Sequence, residues 1–205
     1  MTEVILTFGI AFCLSFVGTI PPGTISLTVL ELGLKHRINV AWRMAFAAAL
    51  IEYPYAWVAV EFQHFLAASL NFTHHFHLVA GCVMISLGSF SLWSATKPSD
   101  FSRRFEHSGF RKGIFLGLLN PLAIPFWMAI TAYLKSHGWV DLSDNYEIHA
   151  YLLGVSCGTL ALFMALAYLA RSIVPHFQTN VLLQKTPGVL LILLGLYSFQ
   201  EYMFG

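Results

Sequence analysis

Six long apolar stretches divide this chain, and short polar connections separate them. They run over about residues 4–34, 41–66, 75–95, 113–134, 148–170 and 186–204. A bilayer core about 30 Å thick is crossed by roughly 20 helical residues at 1.5 Å each, so every stretch is long enough to span it. The apolar runs are continuous rather than alternating, which excludes a membrane barrel. The pattern predicts an all-α integral membrane protein with six transmembrane helices.

Composition supports the membrane prediction. Apolar and aromatic residues make up 57% of the chain and charged residues only 10%, whereas soluble domains carry about 25% charged residues. So few charges cannot cover a water-soluble surface. We expect one membrane domain over 1–205, with three-helix halves at 1–95 and 113–205 joined by a polar loop at 96–112. A net charge of +1 gives no reason to expect nucleic acid as a partner.

The basic residues orient the predicted helices. Ten of the eleven Lys and Arg residues flank the first, third and fifth connections, and only Lys135 lies on the opposite side. Under the positive-inside rule the loop 96–112 is cytoplasmic and both termini lie outside. The start, Met1-Thr2-Glu3, lacks the basic region of a cleaved signal peptide, so we expect residue 1 to be the true start.

Glycine and proline recur in corresponding spans of the two halves. GTIPPG begins at Gly18 in the first span, and GLLNPL begins at Gly117 in the fourth. An odd number of spans in each half requires that an internal repeat be inverted across the membrane. We therefore predict two inverted three-helix repeats whose first and fourth helices are broken. The residues that would break them are Pro21, Pro22 and Gly23 in the first span and Pro121 and Pro125 in the fourth.

These interruptions would create a polar site in an apolar environment. Proline donates no backbone hydrogen bond, and Asn120, which precedes Pro121, is pushed away from helical angles. Freed carbonyls at membrane depth require protein or a water-filled cavity to satisfy them. If the breaks meet, the carbonyls suit an ammonium or metal cation, and the N–H groups beginning at Thr24 suit a carboxylate. Ordinary proline kinks are the competing interpretation.

Glu52 is the second candidate, because it lies near the middle of the 41–66 span. A carboxylate at the bilayer midplane is costly and by default indicates function. Its neighbours three, four and seven positions away are Ala45, Ala48, Ala49, Tyr55, Ala56 and Ala59. The opposite face carries Phe46, Leu50, Trp57 and Val58. We therefore expect Glu52 and Tyr55 to face the bundle. A protonated, purely structural Glu52 is the alternative.

Two further glycine patterns indicate packing rather than chemistry. Residues 154–158 match GxSxG, but a hydrolase needs this motif at a strand-to-helix turn, and here it lies within an apolar helix. His149 would be about 10 Å from Ser156 by helical rise, too far to act as a base. Small residues four apart normally mark helix contacts, and Gly113 and Gly117 form a second such pair. We predict no catalytic residue and no enzyme activity.

The remaining polar residues predict no cofactor. His74, His75 and His77, with His64 nearby, fall in an outward loop, where they could bind a transition metal, but no Cys or carboxylate completes a ligand set. Interfacial histidines, or sensors of external pH, are the preferred interpretation. The three cysteines, at positions 13, 82 and 157, are too dispersed for a structural disulfide or zinc site. Glu31 and Lys35 are predicted to form a surface pair.

The chain resembles the LysE-type (lysine exporter) amino-acid transporter family, as a variant branch. The resemblance covers essentially the whole chain: about 200 residues, six spans, GTIPPG at 18–23 and GLLNPLAIPFW at 117–127. In the first motif this chain has two prolines where most members carry one. Its Glu52 belongs to a variant branch of the family. The resemblance implicates the residues that match the two motifs, Pro21, Pro22, Gly23, Asn120 and Pro121.

What the resemblance implies is export of amino acids or similar small metabolites across the bacterial inner membrane, driven by protons and without ATP. The lack of a Walker motif agrees. On this hypothesis Glu52 carries the proton or pairs with the substrate ammonium, while Asn120 and the freed carbonyls orient the substrate between the first, second and fourth spans. The superfamily also includes thiol-disulfide carriers, but no cysteine flanks Pro21 or Pro121. A divalent metal-ion exporter and a structural or accessory membrane subunit stay open as alternatives, as do the solute, the coupling ion and a homo-oligomer.

Overall fold

The structure, a computed structural model, is helical throughout the residues that it describes. These are 2–20, 23–68, 108–120 and 123–177, with isolated helical positions within 78–92 and 189–203. No strand occurs in these ranges. The helices are α1 (Thr2–Gly18), α2 (Thr24–Leu34), α3 (Ile38–Ala68), α4 (Gly109–Leu118), α5 (Ala123–Ser136) and α6 (Asn145–Phe177).

Both predicted interruptions separate two helices. The first apolar stretch is divided into α1 and α2, and the fourth into α4 and α5. The axes of α4 and α5 differ by 66°. Pro21, Pro22 and Pro121 lie outside the described residues, as do most of the third and sixth predicted spans and the loop 96–107.

Only part of the six-span prediction is visible by helix length and composition. Among the described residues, the segment Asn145–Ala170 of α6 is long and apolar enough to cross a bilayer unaided. The bent pair of α4 and α5 is a second such segment if its two helices count as one broken span. The helices α1 and α2 are apolar but individually shorter.

Packing crosses between the two parts of the chain. The helices α1 and α2 pack against α6, whereas α4 and α5 pack against α3, and α3 also packs against α6. Each interrupted pair therefore contacts the long helix that follows the other pair in sequence. This exchange makes α3 and α6 the centre of the described bundle.

Glycines allow the helices to approach one another closely, as the sequence predicted for the pair Gly154 and Gly158 and the pair Gly113 and Gly117. Gly154 and Gly158 of α6 lie against the α1 backbone, at the carbonyls of Phe8 and Phe12. On α4, Gly113 lies against the carbonyl of Met44 in α3. Side chains at these positions would overlap main-chain atoms that cannot rotate away. The prediction of helix packing is confirmed for both pairs.

The face of α3 around Glu52 follows the alanine pattern. The alanines predicted to face the bundle, Ala45, Ala48, Ala49, Ala56 and Ala59, are all at most 4% exposed. The residues predicted for the opposite face, Phe46, Leu50, Trp57 and Val58, are between 37% and 50% exposed. The rotation of α3 is therefore as predicted.

A buried polar contact joins α1 to α6. The Ser15 hydroxyl donates to the carbonyl of Val155 at 2.6 Å and lies 2.9 Å from the Thr159 hydroxyl. Ser15 and Thr159 are 0% and 1% exposed. We expect Ser15→Ala to lower the free energy of unfolding by about 0.6–2 kcal/mol, the range found for hydrogen bonds between membrane helices.

Unfolding in mixed detergent micelles measures this change. Thr28→Ala is the control, because the Thr28 hydroxyl donates within its own helix, to the carbonyl of Thr24 at 2.7 Å, and bonds no other helix among the residues that the structure describes. Equal losses from both variants would show that the contact between α1 and α6 contributes nothing specific.

Candidate functional site

Glu52 lies near the middle of α3 and faces α5. Its Oε2 accepts a hydrogen bond from Nε1 of Trp127 at 2.7 Å. The Trp127 side chain is 2% exposed, so this N–H needs an internal partner. Within the part of the chain that the structure describes, Oε1 of Glu52 has no hydrogen-bond partner. One carboxylate oxygen of Glu52 is thus held in place by a buried indole.

Tyr55 lies one turn further along the same face of α3 and reaches the other side of the interruption. Its hydroxyl donates to the carbonyl of Leu118 at 2.9 Å. Leu118 is the last residue of α4, where a helix leaves its final carbonyls without internal partners. Tyr55 therefore contacts the end of α4, and Glu52 contacts α5 near its start. Together the two residues bond both helices that flank this interruption.

Pro54 between them was not singled out in the sequence, although a proline inside an apolar span is a visible signal. It lies within α3 and lacks the N–H that would bond the carbonyl of Leu50. The helix continues through it to Ala68. The helical segment that carries Glu52 and Tyr55 therefore lacks one of its backbone hydrogen bonds.

Backbone hydrogen bonds are made by Asn120, which follows the end of α4. The N–H of Asn120 donates to the carbonyl of Gly117 at 3.0 Å, and the Asn120 carbonyl accepts from Ala123 at 3.4 Å. Asn120 is half-buried. Pro125 is the third residue of α5 and is buried. A proline in the first turn interrupts no helical bond, so the bend precedes Pro125 rather than following from it.

The first interruption ends at Gly23, which precedes α2. Gly23 is extended, with φ −96° and ψ −178°, and no side chain caps the helix there. Gly23 and Thr24 are exposed. The first-turn N–H groups of α2, which begin at Thr24, therefore lack a side-chain acceptor from the residue that precedes the helix.

The two interruptions are linked by a direct contact. A Cβ on Gly18, the last residue of α1, would lie 2.6 Å from the ring of Phe126. The Phe126 ring packs edge-on against Trp127, with centroids 5.0 Å apart. The end of α1 is therefore separated from the partner of Glu52 by a single aromatic ring.

Behind Trp127 lies a buried polar pair that the sequence did not indicate. The Trp127 ring packs edge-on against Tyr151, with centroids 6.4 Å apart. The hydroxyls of Tyr151 and Thr131 lie 3.0 Å apart, and both residues are 0% exposed. These contacts fix the position of the Trp127 indole. In the sequence, the presence of Trp127 within the segment 117–127 was the one sign of this arrangement.

The hydrolase-like motif has no catalytic arrangement among the described residues. The Oγ of Ser156 is buried and has no partner there. His149, which would have to act as its base, bonds instead to Tyr53, with Nδ1 2.7 Å from the phenol oxygen. The surface pair of Glu31 and Lys35 is confirmed at 2.6 Å.

No metal-binding group is found in the part of the chain that the structure describes, where no three His, Cys, Asp or Glu side chains converge. His74, His75 and His77 lie outside the described residues, and so does the side chain of His64.

An all-helical bundle with two interrupted helices, glycine-mediated contacts and an internal carboxylate is typical of membrane transport proteins. The LysE type translocator family model matches residues 16–201. The chain belongs to this family, whose members are membrane transporters and not enzymes, and the family suggests transport of amino acids or small metabolites. No curated protein and no solved structure gives a significant match.

Proposed function

We propose that this protein is a secondary transporter that exports amino acids or related small metabolites across the bacterial cytoplasmic membrane, driven by the proton gradient. The observation that carries the proposal is that one face of α3 contacts both helices that flank the second interruption, α4 and α5. Glu52 bonds Trp127 on α5, and Tyr55 bonds Leu118 on α4. A shift of α4 relative to α5 would therefore change the surroundings of Glu52 directly.

In this proposal Glu52 carries the transported proton or pairs with the substrate ammonium through Oε1. The carbonyls near Leu118 and Asn120 supply further acceptors for the ammonium. The first-turn N–H groups at Thr24 bind the carboxylate, since helix N-termini favour anions. The contact between Gly18 and Phe126 supports a single site, because it brings the end of α1 beside α5.

The proposed architecture has six spans in two inverted three-helix halves, with both termini outside. The crossed packing supports it, since each interrupted pair lies against the long helix of the other half. Halves that rock about such shared helices would expose the site to each side in turn. Membrane lipid and the solute are the expected partners.

Reconstitution of the full chain in liposomes with an imposed pH gradient tests the proposal. Labelled amino acids and then divalent ions are screened, with empty liposomes as the control. We expect gradient-dependent movement of at least one amino acid, which a proton ionophore abolishes.

Two other outcomes would favour the remaining alternatives. Movement of divalent ions alone would indicate a metal-ion exporter. Folded protein that moves no solute, while Glu52→Gln weakens its assembly with another membrane protein, would indicate an accessory subunit.

A further inference from the structure

The Tyr151 hydroxyl is a buried polar group to which the proposed transport mechanism gives no role. Tyr151 and Thr131 are both 0% exposed, and their hydroxyls lie 3.0 Å apart. A hydroxyl in an apolar interior costs free energy unless it has a hydrogen-bond partner. Phenylalanine would fill the same space without this requirement, so packing alone does not explain the hydroxyl.

The hydroxyl pair joins α5 to α6, which follow one another in the chain. Among the described helices, α5 packs mainly against α3, so its attachment to α6 depends on side chains. Tyr151 makes two such contacts, the hydroxyl contact with Thr131 and the edge-on ring contact with Trp127. Tyr151 therefore helps to set the position of α5 relative to α6.

The same face of α5 is bonded to α3 one helical turn away. Trp127 and Thr131 are four residues apart within α5, so their side chains are neighbours on the helix surface. The Trp127 N–H donates to Oε2 of Glu52 at 2.7 Å, whereas Thr131 bonds Tyr151. Two bonds to two different helices thus hold the rotation of α5. Because hydrogen bonds weaken steeply with distance and angle, loss of the second bond would loosen the first.

The strength of the bond to Trp127 affects the protonation of Glu52, because hydrogen bonding to a carboxylate changes its proton affinity. Residues 24–30 and 113–132, which include most of α2 and α5 and much of α4, contain no titratable side chain. The other titratable groups around Glu52 among the described residues belong to α3 and α6: Tyr53, Tyr55, His149 and Tyr151. The pH dependence of a process at this site is therefore set chiefly by Glu52 and its bond to Trp127.

We propose that Tyr151 is a positioning residue for Glu52. Its bond with Thr131 holds α5 in the rotation that directs the Trp127 N–H at the Glu52 carboxylate. Tyr151 acts through these two residues and binds neither the proton nor the solute. This inference rests on the proposed function, in which Glu52 carries the proton or pairs with the substrate ammonium.

The pH dependence of flux in liposomes tests this role. Trp127→Phe removes the N–H outright and gives the reference shift in the pH at which flux is half-maximal. We expect Tyr151→Phe to shift this pH in the same direction and by less. It should also lower flux by about 3- to 20-fold, the effect of one lost bond between membrane helices. Thr131→Val keeps the side-chain shape and should behave like Tyr151→Phe, whereas a packing defect alone would lower flux without moving its pH dependence.

Tyr53→Phe is the matched control. The Tyr53 hydroxyl lies 2.7 Å from Nδ1 of His149, so this variant also removes a tyrosine bond to α6, but one that does not involve α5. It should leave the pH dependence of flux unchanged. An unchanged pH dependence in Tyr151→Phe and Thr131→Val, or an equal shift in Tyr53→Phe, would overturn the proposal.

The fluorescence of Trp127 tests the same role without transport. The full chain is prepared with its other tryptophans replaced by phenylalanine: Trp42, Trp57, Trp93 and Trp139. We expect Tyr151→Phe, but not Tyr53→Phe, to shift the emission maximum of Trp127 and its response to pH. Unchanged emission in Tyr151→Phe would overturn the inference even if transport is as proposed. A shifted emission in a protein whose flux is independent of Glu52 would support the positioning of Trp127 and show that the proposed function is wrong.

Discussion

Glu52→Gln is expected to abolish proton-driven transport while leaving the fold intact. Glutamine does not titrate, so a proton can no longer be carried at this position. If Glu52 instead pairs with the substrate ammonium, the variant loses a charge-assisted interaction of about 1.5–3 kcal/mol, which corresponds to about 10- to 150-fold in affinity. Either role predicts a large loss in gradient-driven flux, measured in liposomes at matched protein content.

The fold should survive because the glutamine side-chain oxygen can still accept the Trp127 N–H. The chain offers a matched control on the same helix: Nε1 of Trp57 donates to Glu61 at 3.0 Å, and both residues are exposed. Glu61→Gln makes the same chemical change outside the site and should leave flux unaltered. Flux in Glu52→Gln that keeps its full dependence on the pH gradient would show that Glu52 has neither role.

Gly154→Ala is expected to lower the free energy of unfolding substantially, although it adds only a single methyl group. The added Cβ would lie 2.5 Å from the Phe8 carbonyl oxygen and 2.8 Å from the Ala11 Cβ. The backbone carbonyl cannot rotate away, so α1 and α6 must separate. Overpacking of this kind costs about 1–3 kcal/mol, and the separation would also weaken the bonds of Ser15. Unfolding in mixed micelles measures the loss.

Gly9→Ala is the control for the glycine substitution. Gly9 follows Phe8 on α1, and a Cβ there would meet no atom within 4 Å. Replacement of a helical glycine by alanine, where the added methyl group meets no other atom, should be neutral or stabilise the helix by up to about 1 kcal/mol. Equal destabilisation by Gly9→Ala and Gly154→Ala would contradict the close packing of α1 on α6.

Local features of this fold were predictable because they depend on residues near each other in sequence. The spacing of alanines set the rotation of α3, and Gly and Pro marked where the first and fourth stretches divide. Gly154 and Gly158, as small residues four apart, indicated a helix contact. Each of these inferences needs only the geometry of one helix.

The partners across helices were not predictable in the same way. A periodic pattern shows which face of a helix is buried, but it leaves the axial position of the neighbouring helix undefined. Glu52 and Trp127 are 75 residues apart in sequence, and nothing local distinguishes Trp127 from another membrane tryptophan. The bonds of Tyr55 to Leu118 and of Ser15 to Val155 depend on the same long-range register.

The sequence also gave Pro125 the same role as Pro121, since both lie in the interrupted fourth stretch. The structure describes Pro125, which lies inside a helix. Pro125 is in the first turn of α5, where a missing N–H has no consequence, so Pro125 does not itself interrupt the helix.

Labelling of a cysteine at Asn120 tests the central claim, that the transported solute binds at the junction of α3, α4 and α5. Asn120→Cys is made after Cys13, Cys82 and Cys157 are replaced by serine, and the full chain is treated in liposomes with a small hydrophilic thiol reagent. We predict that the cysteine reacts and that the transported solute slows the reaction. A cysteine that does not react, or one that reacts at the same rate with and without the transported solute, would contradict the account.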